Sequence, residues 1–219
     1  MTEPSGDAMH SGNNNKLGRA LILLTAIVIT LGGGLFFLLQ MAPEDDPVSV
    51  LGNEPDNITF SLVTHNEELV TEKDFYGKTL LLYFGFTSCP DVCPRTLSVL
   101  SKATQQLKQS GYKDELTILF ITVDPQRDTP QTMERYLARF PGNIIGLTGT
   151  SEQTEAIART VRAHYKYGQP DSEGNYPVTH SDFVYLISES GKYITHIKPD
   201  KQATALAAHI RQTLSTPSG

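Results

Sequence analysis

The chain has 219 residues and a formal net charge of -6, with only 18 Lys and Arg against 24 Asp and Glu. That length holds one substantial domain with accessories, and that charge leaves no basic footprint for nucleic acid. Two cysteines three residues apart exclude a scaffold of long-range disulfides, and leave an exchangeable pair or metal ligands.

Residues 1–16 are rich in Ser, Gly and Asn and read as a cytoplasmic tail without a packed structure. From Ala20 to Pro43 no charged residue occurs. At ~1.5 Å per residue a helix over 17–42 is long enough to cross a hydrocarbon core of ~30 Å. Lys16 and Arg19 precede it and Glu44, Asp45 and Asp46 follow it, so the positive-inside rule orients the remainder outward, into the periplasm if the cell is bacterial. The apolar run exceeds a signal-peptide core and no convincing small-x-small cleavage site precedes the acidic flank, which favours an uncleaved anchor in the inner membrane. Residues 43–57 form a Pro- and Asp-containing linker, and 58–219 the exported domain.

Within that domain, Ile58 to Val63 and Glu68 to Thr71 read as a short hairpin. Thr79 to Phe84 is a continuous apolar run suited to a strand buried on both faces, and Gly85 is expected to turn the chain out of the sheet. Cys89 and Cys93 follow at once. Pro94 suits a first helical position, and Leu97, Leu100, Ala103, Thr104 and Leu107 recur at helical spacing, which sets Cys93 at a helix N-terminus, where free N–H groups favour a thiolate. Leu116 to Val123 is a second buried strand, so strand, helix and strand imply a right-handed parallel crossover.

Thr129 and Pro130 open a helix with Met133, Leu137 and Phe140 on one face, ended by Pro141-Gly142. Asn143 to Leu147 is a third short strand, and Thr150 with Gln153 makes a capping box for a helix to about Ala163. Lys166 to Thr179, with two glycines and two prolines among polar residues, reads as a long loop that delivers His180. Asp182 to Ile187 and Tyr193 to Ile197 form an antiparallel hairpin, and Asp200 caps a last helix with Leu206, Ile210 and Leu214 inward. The whole is α/β: a thioredoxin-like sandwich with a central mixed sheet, preceded by one transmembrane helix.

Two soft sulfurs on a loop opening a helix exchange as a disulfide or hold a soft metal; the blander alternative is two small buried residues. His180 alone is an ordinary surface or hydrogen-bonded histidine. In thioredoxin-like folds, though, the loop before the antiparallel hairpin closes over the cysteine pair, and two thiolates with one imidazole suit copper, or zinc with an open fourth position. Asp124 ends a parallel strand on the side where such sheets build sites, and equally reads as a turn residue. Asp91, between the cysteines, disfavours two free thiolates and favours a cation there, and equally reads as a solvated loop charge. Tyr83, Phe84 and Phe86 read as core, and Arg95, Arg127 and Arg135 as surface charge with the option of an acidic partner. His10, His65, His164, His196 and His209 have no comparable placement.

Phe84-Gly85-Phe86-Thr87-x-Cys89-Pro90-Asp91-Val92-Cys93-Pro94, then Val123-Asp124-Pro125-x-Arg127-Asp128-Thr129-Pro130, then His180 before Phe183-Val-Tyr-Leu-Ile, resemble the Sco/SenC family across nearly the whole exported domain. The resemblance implies a thioredoxin-like fold, a copper ion bound by Cys89, Cys93 and His180, and a role in assembling the dinuclear copper site of cytochrome c oxidase subunit II. The rival function is a periplasmic thiol-disulfide oxidoreductase using Cys89 and Cys93, although such dithiols usually keep two intervening residues. A peroxiredoxin resembles the chain less, since the threonine expected three residues before the reactive cysteine is here Phe86.

Overall fold

The structure, a computed structural model, describes residues 57–112, 114–199 and 202–215. The expected tail, the anchor over 17–42, nearly all of the linker and the Asp200 cap lie outside the described residues. Among the described residues no helix is long and apolar enough to cross a membrane.

Thr79–Gly85 (β3) is buried at every position and Leu116–Thr122 (β4) at all but its first, as strands covered on both faces must be. They pair in parallel from Thr79 opposite Leu116 to Gly85 opposite Thr122, and β4 pairs in parallel with Ile144–Thr148 (β5). The predicted hairpin, Ser61–Thr64 (β1) and Leu69–Thr71 (β2), adds antiparallel to β5. On the other side of β3 lie the antiparallel strands Val184–Ile187 (β8) and Tyr193–Ile197 (β9). The seven-stranded order is β2-β1-β5-β4-β3-β8-β9. This mixed sheet is that of a thioredoxin-like fold.

Val92–Gln109 (α1) joins β3 to β4, and Pro130–Leu137 (α2) joins β4 to β5. Two successive right-handed crossovers in one direction require both helices on the same face. The packing agrees: Gly85, Phe120 and Gly146 share that face, and a Cβ on Gly85 would meet Cys93 of α1, whereas one on Gly146 would meet Met133 and Leu137 of α2. Thr129 caps α2 through its hydroxyl, with Pro130 at the first position, and Thr150 and Gln153 form the capping box of Ser151–Thr160 (α3). Ala203–Ser215 (α4) packs against α1 and buries Leu206 and Ile210.

Three expectations change. First, α1 begins two residues before Pro94, so Cys93 is already a helical residue, and Pro94 still falls in the first turn, where no intrahelical N–H is needed. Second, Gly85 does not turn the chain; it stays paired in β3, and its lack of a side chain makes room for Cys93 Sγ and the Phe120 ring, which an added Cβ would meet at 2.8 and 2.7 Å. Third, the stretch expected as a loop is a two-stranded ribbon, Tyr165–Tyr167 (β6) against Val178–His180 (β7), with Tyr165 opposite His180. Its turn is organised by Asp171, whose carboxylate accepts the N–H groups of Glu173 and Asn175 at 2.9 Å. Three-residue strands of mostly polar residues carry too short a pattern to read as strands.

The close approach at Gly85 is testable. Gly85→Ala is expected to lower the unfolding free energy by about 1–3 kcal/mol, the usual cost of overpacking a filled core, and to shift the urea midpoint of the metal-free protein downward.

Candidate metal centre

Cys89 lies on the loop leaving β3, held by its own N–H donating to the Phe86 carbonyl at 3.2 Å. Cys93, at the second position of α1, is fully buried, and its sulfur sits in the space that Gly85 vacates. The helix N-terminus serves the other cysteine: the Cys93 N–H donates to Cys89 Sγ at 3.4 Å. His180 arrives from the end of β7, with Nε2 3.3 Å from Cys93 Sγ. Its Nδ1 lies 3.1 Å from the Ser181 carbonyl and so carries a hydrogen, which orients Nε2 towards the sulfurs. The two sulfurs and an imidazole nitrogen all lie within 4.8 Å of one another. Among the described residues no other group of three Cys, His, Asp or Glu side chains converges in this way.

The sulfurs are electrostatically unequal. Hydrogen bonding from Cys93, helped by His180 and by the backbone N–H groups of Cys93 and Asp91, holds the Cys89 thiol at a pKa of about 3 against partial burial. The same bond to Cys89, with burial, pushes the Cys93 thiol well above the thiol range. The buried sulfur therefore holds its proton more tightly than the half-exposed one. Burial works against a charged His180, but the Cys89 sulfur and the Ser181 carbonyl outweigh it and raise the imidazole above its ordinary value.

Neighbouring groups fix the imidazole. The rings of Tyr83 and Phe86 meet it edge-on at 6.0 and 5.9 Å. Asp182, two residues on, accepts the Tyr83 hydroxyl at 3.3 Å and the Thr96 hydroxyl at 3.2 Å, tying the His180 segment to both β3 and α1. Tyr83 and Phe86 are thus core residues that also wall the site.

Asp124 is buried, accepting from Arg127 Nε and, at 2.7 Å, from the Tyr176 hydroxyl. It is a structural acceptor and not a member of the sulfur-imidazole cluster. Arg127 turns inward onto Asp124, whereas Arg95 pairs with Asp91 at 3.3 Å on the surface and Arg135 is exposed. Asp91 occupies the N-cap position of α1, and an exposed pair of this kind contributes at most about 0.5 kcal/mol. His65 accepts the Gly146 N–H, His164, His196 and His209 are exposed, and His10 lies outside the described residues.

Sequence reasoning gave no role to Asp128, which is fully buried and accepts the Thr87 N–H at 3.0 Å, the Thr87 hydroxyl, and the Thr122 hydroxyl at 2.7 Å. Burial raises its carboxyl above the usual range, and those donors oppose the rise. It fixes Thr87, two residues before Cys89. Its signal was its place in the Asp124-to-Pro130 block. Asp182, Thr96 and Tyr176 carried none.

A family model described as SCO1/SenC matches residues 50–215. The human mitochondrial SCO1 homolog is 38% identical over 156 residues, which are 69% of this chain and 52% of that protein, so the chain spans about half the length of that relative. The SCO2-like protein of Rickettsia felis is 34% identical over 197 residues, 87% of this chain and 95% of that protein. The crystal structure of Arabidopsis thaliana ScoI with copper bound is similar at a TM-score of 0.67 and 34% identity, covering 72% of this chain and 97% of that one.

The lowered Cys89 pKa predicts an unusual pH profile. Iodoacetamide alkylation of reduced, metal-free protein at Cys89 is expected to run at a nearly constant rate between about pH 5 and 8, because a group with its pKa lowered to about 3 is already ionised there and loses its charge only as pH falls through that value. An unperturbed thiol would instead gain about tenfold in rate per pH unit over that range.

Proposed function

The chain belongs to the SCO1/SenC family, and from that premise we propose that it is a membrane-anchored copper chaperone that carries copper on Cys89, Cys93 and His180 for assembly of the dinuclear copper site of cytochrome c oxidase subunit II. The observation that carries this reading is the convergence of the three donor atoms within 4.8 Å. The donor set is soft, two sulfurs and one imidazole, and suits Cu(I). The nearby carboxylates supply no competing hard ligand: Asp124, Asp128 and Asp182 are committed to hydroxyl, N–H and guanidinium donors. The Arabidopsis relative holds copper in its crystal structure, which supports the same cargo here.

Metal loading finds one sulfur already ionised and must displace a proton from the other, so uptake and proton release are coupled. Cys89 is half-exposed and Cys93 buried, so cargo is reached and surrendered from the Cys89 side. We place the anchor at 17–42 and the linker at 43–57, holding the domain against the periplasmic face of a bacterial inner membrane, where the oxidase subunit is the partner. In a bacterium, alkaline phosphatase fused after residue 57 is expected to be active and the same enzyme fused after residue 16 inactive; activity in both or neither removes the anchor from the reading.

One observation favours a second reading. An accessible, ionised Cys89 beside a buried Cys93 is the arrangement of an attacking and a resolving thiol, which suits a thiol-disulfide oxidoreductase that reduces the cysteines of that same oxidase site.

Anaerobic Cu(I) titration of the reduced protein against a competing chelator separates the two. One copper per chain is expected, with Cys89→Ser, Cys93→Ser and His180→Ala each weakening binding by more than about a hundredfold, above the range for loss of an outer-shell partner. If His180→Ala is silent while the protein readily reduces a disulfide partner, the oxidoreductase reading replaces the chaperone.

A further inference from the structure

His180 stands at the end of a ribbon that has little to hold it together. Its two strands have three residues each, and an isolated two-stranded hairpin of that length is at best marginally stable in water. The ribbon is nevertheless clipped to the body: Val178 packs into the hydrophobic core, and the side-chain hydrogen bonds beyond the root land on one segment, Val123 to Arg127. The Tyr167 hydroxyl donates to the Val123 carbonyl. The Tyr176 hydroxyl donates to Asp124 Oδ1 at 2.7 Å, and Arg127 Nη1 donates to the Tyr176 carbonyl at 3.2 Å. The Arg127 guanidinium lies over the Tyr176 ring at 4.0 Å, and that ring meets Tyr167 edge-on at 5.6 Å. Asp124, 1% exposed, spends one carboxylate oxygen on Arg127 and the other on Tyr176, a residue of the ribbon.

We propose that Asp124, Arg127 and Tyr176 form a latch whose role is to hold the ribbon closed and so keep His180 at the sulfur pair; all three are positioning residues that do not touch the cargo. A carboxylate that served only the body would need no partner on the ribbon. The ring stack adds a second, planar contact on the same side chain, so that Tyr176 is held by its hydroxyl, its carbonyl and its face together. With the latch open, β6 and β7 keep their own pairing, the packing of Val178 against the core and the root contacts, among them the Ser181 N–H donating to the His164 carbonyl at 2.8 Å. His180 is then carried away with β7, while the cysteines stay with β3 and α1. Ligand release by movement of a whole ribbon differs from release by rotation of one side chain, because it depends on residues remote from the imidazole.

The inference rests on the copper reading only in its second arm. The first arm uses hydrogen exchange by mass spectrometry on the metal-free full chain, comparing Tyr176→Phe, which keeps the ring and loses the hydroxyl, with Tyr176→Ala and Arg127→Gln. Ribbon amides, including those of Gly168 and Ser181, are expected to exchange about tenfold faster in Tyr176→Ala and by an intermediate factor in Tyr176→Phe, with β3 and β4 amides unchanged. Unchanged ribbon exchange overturns the latch, and so does an equal acceleration in β3 and β4, which is general destabilisation. The second arm is a double-mutant cycle on Cu(I) affinity. Tyr176→Ala is expected to weaken binding about tenfold in the native background and to have no further effect once His180 is replaced by Ala. An equal loss in both backgrounds overturns the positioning role. If the protein holds no copper at all, the chaperone reading fails by itself and the exchange measurement still decides the latch.

Discussion

Two buried carboxylates four residues apart, Asp124 and Asp128, join the halves of the site. The sulfurs come from the β3–α1 loop and the first turn of α1, and the imidazole from a ribbon nearly ninety residues later in the chain. The two halves meet directly through Asp182, which accepts the Tyr83 and Thr96 hydroxyls. The segment after β4 lies between them, with Asp128 turned towards Thr87 and the cysteine loop and Asp124 towards Tyr176 and the ribbon. β4 is central in the sheet and buried on both faces, so the segment that holds these two loops leaves directly from a well-packed strand. Burying a carboxylate is costly, and each of these is compensated by donors supplied by the very elements it positions.

The same economy governs the donors themselves. A backbone N–H from the first turn of α1 and hydrogen bonding from Cys93 both stabilise charge on Cys89, so charge on the reduced pair gathers on the half-exposed sulfur. Two adjacent thiolates would repel and would demand a cation at all times. Charge gathered on one sulfur avoids that repulsion, and the imidazole held by Ser181 keeps Nε2 aimed inward meanwhile. The site is thus preorganised in shape but not fully ionised.

Much of this was legible in the residues. The apolar runs from Thr79 and Leu116, the Thr129-Pro130 cap and the Thr150-Gln153 box gave the parallel core and its helices, because each signal is local and repeated over several residues. The cysteine pair was visible for its uniqueness, and His180 for its place before the last hairpin. What escaped was long-range. That Tyr176 reaches Asp124, that Tyr83 and Thr96 share Asp182, and that Gly85 exists for a sulfur and not for a turn are facts about residues brought together by topology, and no window along the chain contains them. The ribbon was missed for a different reason: its strands are too short and polar for any period to emerge.

The void left by Gly85 also sets what can replace Cys93. The sulfur is seated where even one methyl on the neighbouring strand would collide with it and with Phe120. A redesign that sought a nitrogen ligand in this position would have to seat an imidazole in a space shaped for one sulfur atom, and a thioether would bring an extra carbon into the same contact. Side chains of cysteine size fit without moving the sheet. The steric envelope therefore restricts this position to a compact side chain, and within that limit the softness of the site comes from the choice of sulfur.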